Sequence, residues 1–402
     1  KPYKTAGKID YVAGWFFKAA QFMKGTHIKT AFVSTNSICQ GEQVSAIWKP
    51  LYERFHININ FAWRNFEWES ESLKQAAVYC VIVGFSDYND HKLHTIFDRD
   101  NKKEAININP YLVSGDTVFI ESRRTPICNV PEMQAGGKPT EGGNLILIES
   151  EKDELIKAEP KATQWIRPFM MGKDFLVRKP RYCLWLVNAN VSQVRKCPQV
   201  MKRIEAVREY RLASKKAATR KKANTPMLFD ERKESQNNYI AIPKVTSSSR
   251  KYIPMEWLSP NVIAGDKLFI IENAPIYNLG VLTSNVHMAW MRTVGGRLGI
   301  GYSYSNTIIY NNFPWPTPTK AQKAKIEKTA QGILDARANH PGDSLADLYD
   351  PLLMPADLRK AHIENDKAVM EAYRFNWHTM KEEDCVAELM KMYQKLIEKE
   401  EK

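Results

Sequence analysis

Apolar residues recur through 10–23 (DYVAGWFFKAAQFM) at helical spacing, and Val12, Trp15, Phe16, Ala19, Ala20 and Met23 are expected to face a core. Residues 29–34 (KTAFVS) read as a short buried strand ended by Thr35, Asn36 and Ser37, and 44–55 as a second helix. Residues 57–68 alternate around Phe61, Trp63 and Phe66, and 77–85 (AVYCVIVGF) form a nearly unbroken apolar run. Such a run is a strand covered on both faces, as in an α/β sheet. Helix, strand, helix, strand, strand, with a short gap before the last, predicts one end of a mixed sheet closed by an antiparallel pair. That is half of a fold, with nothing upstream to supply the other strands.

From residue 90 to 315 the pattern changes. Short apolar runs at 117–120, 145–148, 182–187, 239–243 and 267–271 are separated by stretches of Gly, Pro, Asn and Ser. This predicts a strand-and-loop region with helical insertions, whose long loops suit binding more than scaffolding. After Phe313-Pro314-Trp315-Pro316-Thr317-Pro318 the chain turns helical. Thr319 is placed to cap a helix ending near Asn339, a second is expected over 355–375, and a last one from Thr379 with Glu382 as its capping-box partner. The last carries the stripe Val386, Leu389, Met390, Tyr393, Leu396 and Ile397, which reads as a bundle face.

A length of 402 residues exceeds what one core holds, so at least two domains are expected. With 44% hydrophobic and 26% charged residues the chain is not a disordered or fibrous one. No apolar run reaches the length of a membrane span, so no membrane partner is expected. Six scattered cysteines with no C-x-x-C pair argue against a zinc ribbon or a disulfide scaffold and suit a reducing cytoplasm. The eight histidines show no metal-binding spacing, so no metal is implied.

The net charge is +13, and it is uneven. Residues 316–402 hold fourteen basic against sixteen acidic groups, so the whole excess lies upstream. Its densest stretch, 195–222, has eleven basic residues against Glu205 and Glu209. Such a run is the footprint of a polyanion partner or, equally, a solvated helix face.

Taken in order, these segments resemble the MmeI-like type II restriction–modification proteins, in which an adenine-N6 DNA methyltransferase and its target-recognition domain share one chain. DYVAGWFFKAAQFM (10–23), AFVSTNSICQGEQV (31–44), INFAWRNFEW (59–68) and AAVYCVIVGF (76–85) resemble the second half of the methyltransferase domain. YIAIPKVTSSSRKYIP (239–254), LTSNVHMAWMRTVGGRL (282–298) and YSYSNTIIYNNFPWP (302–316) resemble the core of the recognition domain. The resemblance implies a partial Rossmann-like α/β methyltransferase sheet over 1–95, an α+β target-recognition domain over 96–316 and an all-α domain over 317–402.

It also implies what should be present and is not. These enzymes bind S-adenosylmethionine on a Gly-rich turn and hold the target amine with an Asn-Pro-Pro-aromatic tetrapeptide. Asn109-Pro110-Tyr111 lacks the second proline and lies downstream of the other motifs, so it reads as an ordinary loop. Gly299-Ile300-Gly301 precedes Tyr302-Ser303-Tyr304 and no helix, so it is not a phosphate-binding turn. The chain, which has no initiator Met, therefore reads as the carboxyl-terminal part of a bacterial cytoplasmic protein. S-adenosylmethionine is expected for the intact parent and not for this chain alone. The partners implied are double-stranded DNA and the amino-terminal remainder of the same polypeptide.

Adenine N6 is methylated on a base flipped out of the duplex, which an aromatic side chain can receive by stacking. The resemblance places one such aromatic at Phe85, at the end of the last strand, with Thr35, Asn36, Trp63 and Phe66 as further pocket residues and Trp68 as a runner-up. Lys244, Thr246, Ser247, Ser248, Ser249, Arg250 and Lys251 form a loop of hydroxyls and cations suited to phosphate oxygens, as are Arg203, Arg208, Arg211 and Lys215 of the basic run. Base reading through the major groove is expected from Arg297, Gly299, Gly301, Tyr302, Tyr304 and Asn306; the glycines at 299 and 301 would leave those base positions weakly read or read through neighbours. His287 and Trp290 read as core. A non-catalytic DNA-binding module and an RNA-binding protein are the competing classes; the latter needs stacking aromatics on an exposed sheet.

Overall fold

Helix α1 (Ala13–Met23) lays Ala13, Phe16, Ala20 and Met23 on a sheet, and α2 (Gln43–Phe55) adds Val44, Ile47, Trp48 and Leu51. Trp15, expected inward, is exposed, because the buried stripe follows 13, 16, 20 and 23. The computed structural model describes residues 7, 9–68, 78–89, 93–99 and 101–400. Strands β1 (Thr30–Thr35), β2 (Asn58–Glu67), β3 (Tyr79–Ser86), β4 (His94–Asp98) and β5 (Asn101–Ala105) form one sheet in the order β1-β3-β2-β4-β5. Ala77, expected to start the third strand, lies outside the described residues.

β3 runs antiparallel to both β1 and β2, which are therefore parallel to each other. The antiparallel pair does not close the sheet. β4 continues it parallel to β2, and β5 returns antiparallel, so pairing extends past residue 95 to Ala105. Gly84 is required here: a Cβ on it would lie 2.1 Å from the Phe61 ring.

The middle of the chain holds three further sheets. Met133–Ala135, Leu268–Glu272, Tyr239–Pro243 and Glu256–Leu258 form the first, continuous with the main core. Ile146–Leu147, Arg181–Leu184, Ile166–Met170 and Ile263–Ala264 form the second. It has a separate core around Phe169, Trp185, Val200 and Ile204, partly supplied by the basic helix Pro198–Leu212. Gly296–Leu298, Gly301–Ser303 and Val245–Thr246 form the third, a small ribbon. The expected strand at 117–120 forms no ladder; Val118 and Ile120 are buried in extended chain, where the Ile120 amide donates to the Tyr111 hydroxyl.

Helices Ile276–Leu282 and Asn285–Val294 are buried nearly all round, with His287 and Trp290 fully inside. The tail helices Lys320–Ala338 and Ala356–Ala372 pack against each other, and the former against Ile276–Leu282. Thr319 and Gln322 form the capping box of the first. The last helix, Glu382–Glu400, starts three residues later than expected: the Lys381 amide is capped by Asp384, while the Thr379 amide bonds the Asn376 carbonyl. It buries Val386, Leu389, Met390 and Tyr393 against Asn285–Val294 and the 103–123 segment, not in a separate bundle. Among the described residues no helix is long and apolar enough to cross a membrane.

Candidate nucleic-acid interface

Because β1, β2 and β4 run parallel, their carboxyl ends (Thr35, Glu67 and Asp98) share one edge of the sheet with Tyr79, where antiparallel β3 begins. Ligands of α/β sheets collect at this edge. Asn36 is buried and donates to Asn65 at 3.2 Å, and Thr35 Oγ1 lies 2.9 Å from Ser37 Oγ, which donates to Asp10 at 2.6 Å. Trp63, 37% exposed, stacks on Phe97 at 5.1 Å. Phe66, half-buried, follows an irregularity in the β2–β3 register, and Trp68 stands 48% exposed just beyond the strand.

Phe85 is elsewhere. At the carboxyl end of antiparallel β3 it pairs with Thr30 and Ile59, at the opposite edge. It is fully buried, stacked on Phe16 at 5.4 Å and edged by Trp48 at 6.3 Å, so no extruded base can reach its ring. The strand direction, invisible in an apolar run, decides this.

The recognition region meets the same edge through Arg297. Its guanidinium lies 4.7 Å from the Tyr79 ring and 4.2 Å from the Tyr302 ring, and it donates to Ile300 O at 3.1 Å and to the Tyr302 hydroxyl at 3.2 Å. Tyr79 in turn donates to Glu67 at 3.0 Å. Burial, then the Glu67 carboxylate, push the Tyr79 hydroxyl above its usual pKa and keep it a neutral donor. Nearby, the Gly41 amide donates to Val294 O at 3.0 Å. Tyr79, Glu67 and Gly41 went unnoticed in the sequence: a tyrosine inside an apolar strand carries no mark of what lies across from it.

The loop expected to read bases is a hairpin. Leu298 pairs with Gly301, leaving Gly299 and Ile300 as a two-residue turn, with Gly299 at φ +59° as a hairpin turn of this length favours. A Cβ on Gly299 would meet nothing within 4 Å, but one on Gly301 would lie 2.9 Å from Thr246 O. Gly301 thus has no room for a side chain. Tyr302 and Tyr304 are buried, the latter with its hydroxyl 2.8 Å from His287 Nε2, and Asn306 donates to Met133 O at 3.1 Å. The two tyrosines are turned inward by the alternation of the strand and do not offer their rings to base edges, and half-buried Asn306 has its amide engaged by Met133 O. Burial depresses the His287 pKa to about 3, so the ring stays neutral beside Tyr304.

In the 244–251 loop, Ser247, Ser249 and Lys251 are exposed, and Ser248 and Arg250 half-buried. Lys244 lies half-buried over the Phe269 ring at 4.5 Å. Thr246 departs from expectation: its side chain is buried, its hydroxyl has no hydrogen-bond partner, and it cannot reach a phosphate.

The basic helix divides likewise. Arg208 and Lys215 are exposed. Arg203 is committed to Asn144 O at 3.0 Å and to Glu151 at 3.2 Å. Arg211 is fully buried and donates to the carbonyls of Thr140, Lys222, Thr225, Pro139 and Leu228. It is a structural cation, not a phosphate ligand. Asn109 is equally internal: its Oδ1 accepts from the Tyr111 amide at 3.0 Å, and its side chain is fully buried. The 109–111 turn, expected to be an ordinary loop, is a packed corner. Among the described residues no three His, Cys, Asp or Glu side chains lie together as a metal site.

The parallel-strand end of the sheet is joined to the 296–303 hairpin through Tyr79, Arg297 and Tyr302, and the helical tail packs on the two buried helices and on the 103–123 segment. Family models agree along the chain: the MmeI DNA-methyltransferase domain matches residues 1–98, the MmeI target recognition domain 114–317 and the MmeI C-terminal domain 318–399. The chain belongs to the MmeI family. DNA methyltransferase A of Bacillus subtilis (strain 168) is 37% identical over 396 residues, 98% of this chain and 45% of that protein. The type IIL restriction–modification enzyme MmeI, solved in complex with DNA, superposes with a TM-score of 0.92 at 41% identity, covering 98% of this chain and 53% of that one. The chain thus spans about half the length of the relatives it matches.

Proposed function

We propose that this chain is the sequence reader and the carboxyl half of the catalytic sheet of an S-adenosylmethionine-dependent adenine-N6 DNA methyltransferase in a restriction–modification system. The observation that carries the reading is the Tyr79–Arg297–Tyr302 stack, which fixes the reading hairpin to the ligand edge of the sheet. Recognition and chemistry then share one rigid frame, and a base flipped from the read duplex arrives beside Thr35, Asn36 and Phe66. The sheet so read is the second half of a Rossmann-like domain. The receiving aromatic is Phe66 or Trp68, both at that edge, in place of Phe85.

The Gly-rich turn and the Asn-Pro-Pro-aromatic tetrapeptide that such enzymes use for the cofactor and the target amine are absent from this sequence. At the ligand edge a cavity of about 20 Å³ is lined by Cys39, Gln40, Asn65 and Arg292, and a cleft of about 720 Å³ lined by Arg64, Asp98, Asn101, Lys102 and Glu383 opens beside it. S-adenosylmethionine and the amine-holding tetrapeptide belong to the remainder of the parent in this reading, and no chemical step is assigned to this chain alone. The alternative, a binding module that only recognises DNA, describes the isolated chain.

The test is methyl transfer from labelled S-adenosylmethionine to duplex DNA. The chain alone should bind no cofactor at micromolar concentration and transfer nothing. Joined to the remainder of its parent, it should deliver label to adenine N6. Micromolar cofactor binding by the chain, or label on cytosine, would overturn this reading.

A further inference from the structure

The polar groups expected to read bases are accounted for elsewhere. Tyr302 and Tyr304 face inward, half-buried Asn306 is engaged by Met133 O, Gly301 admits no side chain, Gly299 has none, and Arg297 is held between two rings by bonds to its own hairpin. What the hairpin presents at its tip is aliphatic: Leu298 is 65% exposed and Ile300 48% exposed. Val245, on the adjoining strand, is 40% exposed and lies within 3.5 Å of where a Gly301 Cβ would stand.

Single exposed aliphatic residues are common and need no explanation. Leu298 and Ile300 stand at the turn end of a three-stranded ribbon, with Val245 on its adjoining strand, and what surrounds them is cationic and hydroxylic. Val245 and Thr246 pair with Ser303 and Tyr302, so the chain leaving Thr246 runs alongside the hairpin tip. It carries exposed Ser247, Ser249 and Lys251, with half-buried Arg250 among them. An apolar tip flanked by phosphate-binding groups has the charge distribution to enter a groove of duplex DNA, and a two-stranded ribbon has the width to enter the major groove. There the base-edge feature an aliphatic group can distinguish is the C5 methyl of thymine.

We propose that Leu298 and Ile300, at the tip of the 296–303 hairpin, read thymine methyl groups in the major groove. This rests on the DNA-recognition reading above and deepens it. The turn keeps the two side chains on a short rigid span, and the Arg297 bonds to Ile300 O and the Tyr302 hydroxyl stiffen it. Burying one methyl against them changes affinity by about fourfold.

The experiment replaces thymine by uracil, which removes the methyl and leaves Watson–Crick pairing intact. A preferred duplex is first selected from a randomised pool with the 402-residue chain, and its affinity is measured by fluorescence anisotropy with thymine or uracil at each position. The wild type should lose about fourfold at one or two thymines, with an unchanged salt slope. The Leu298→Ser/Ile300→Ser variant should bind both duplexes equally, whereas Leu298→Met/Ile300→Val should still discriminate. All the replaced side chains are solvent-exposed, and circular dichroism verifies the fold. Duplex binding that is indifferent to every thymine-to-uracil exchange overturns this inference and leaves DNA recognition standing, as does discrimination that survives in the serine variant. Failure to bind any duplex overturns the DNA-recognition reading itself.

Discussion

Arg208 and Arg211 lie three residues apart on one basic helix, and their roles are opposite. Arg208 stands 55% exposed beside an equally exposed Glu205, an ion pair of little energetic consequence. Arg211 is buried and satisfies five backbone carbonyls of the 139–140 and 222–228 turns. Desolvation lowers its pKa, yet a guanidinium remains charged near neutrality, so its hydrogen bonds are charge-assisted. Arg211→Ala leaves those carbonyls without a donor and should cost about 3 kcal/mol, read as a lower urea midpoint. Arg211→Lys should recover little, because a compact ammonium cannot span the same fan of acceptors. Unchanged stability with weakened DNA binding would return Arg211 to the phosphate ligands. Residue type told nothing of this division: both are arginines in a run of cations, and only the turns folded over position 211 separate them.

Among elements, the contact between helices Asn285–Val294 and Ala356–Ala372 ties the recognition region to the tail. Asp366 accepts the Tyr252 hydroxyl at 2.6 Å and the Asn285 amide at 2.7 Å, and His362 stacks on Tyr252 at 4.1 Å. Burial raises the Asp366 pKa to about 6, against the opposing pull of those hydrogen bonds. The folded pKa lies above the unfolded value of 3.8, so the stabilising contribution is complete below that value and is lost as pH rises through about 6. Wild-type stability should therefore decline across this window, while Asp366→Asn should lack that component. Denaturant titrations at several pH values check it, and a decline of equal size in the variant would contradict it.

The elements themselves were largely legible. α1, α2, β1, β2 and β3 follow the apolar periodicity, and Thr319 caps its helix as expected, whereas the last helix starts after Thr379, the residue expected to cap it. β4 and β5 were not seen, because five-residue strands such as His94–Asp98 carry too little pattern to stand out from loop. The 117–120 run failed the other way: it is apolar because it is buried, not because it pairs.

Across the whole molecule, charge and architecture separate. The tail, with its slight acidic excess, buries its apolar stripes against the other regions, while the net positive charge lies upstream. The candidate site was legible as a set of segments but not as a geometry. Resemblance named the loops, but strand direction puts Phe85 at the opposite edge, and strand alternation turns Tyr302 and Tyr304 inward. The joint between Tyr79 and Arg297 comes from residues more than two hundred positions apart in sequence, and no local pattern announces such a pair.

The central claim, that this frame reads duplex DNA, is tested most directly by the chain's affinity for duplex DNA as salt is varied. Counterion release predicts that log affinity falls linearly with log salt, at a slope of about −0.9 per phosphate neutralised, and that Lys251→Ala reduces the slope by about one phosphate's worth. An affinity independent of salt, or no binding at low salt, would contradict the account.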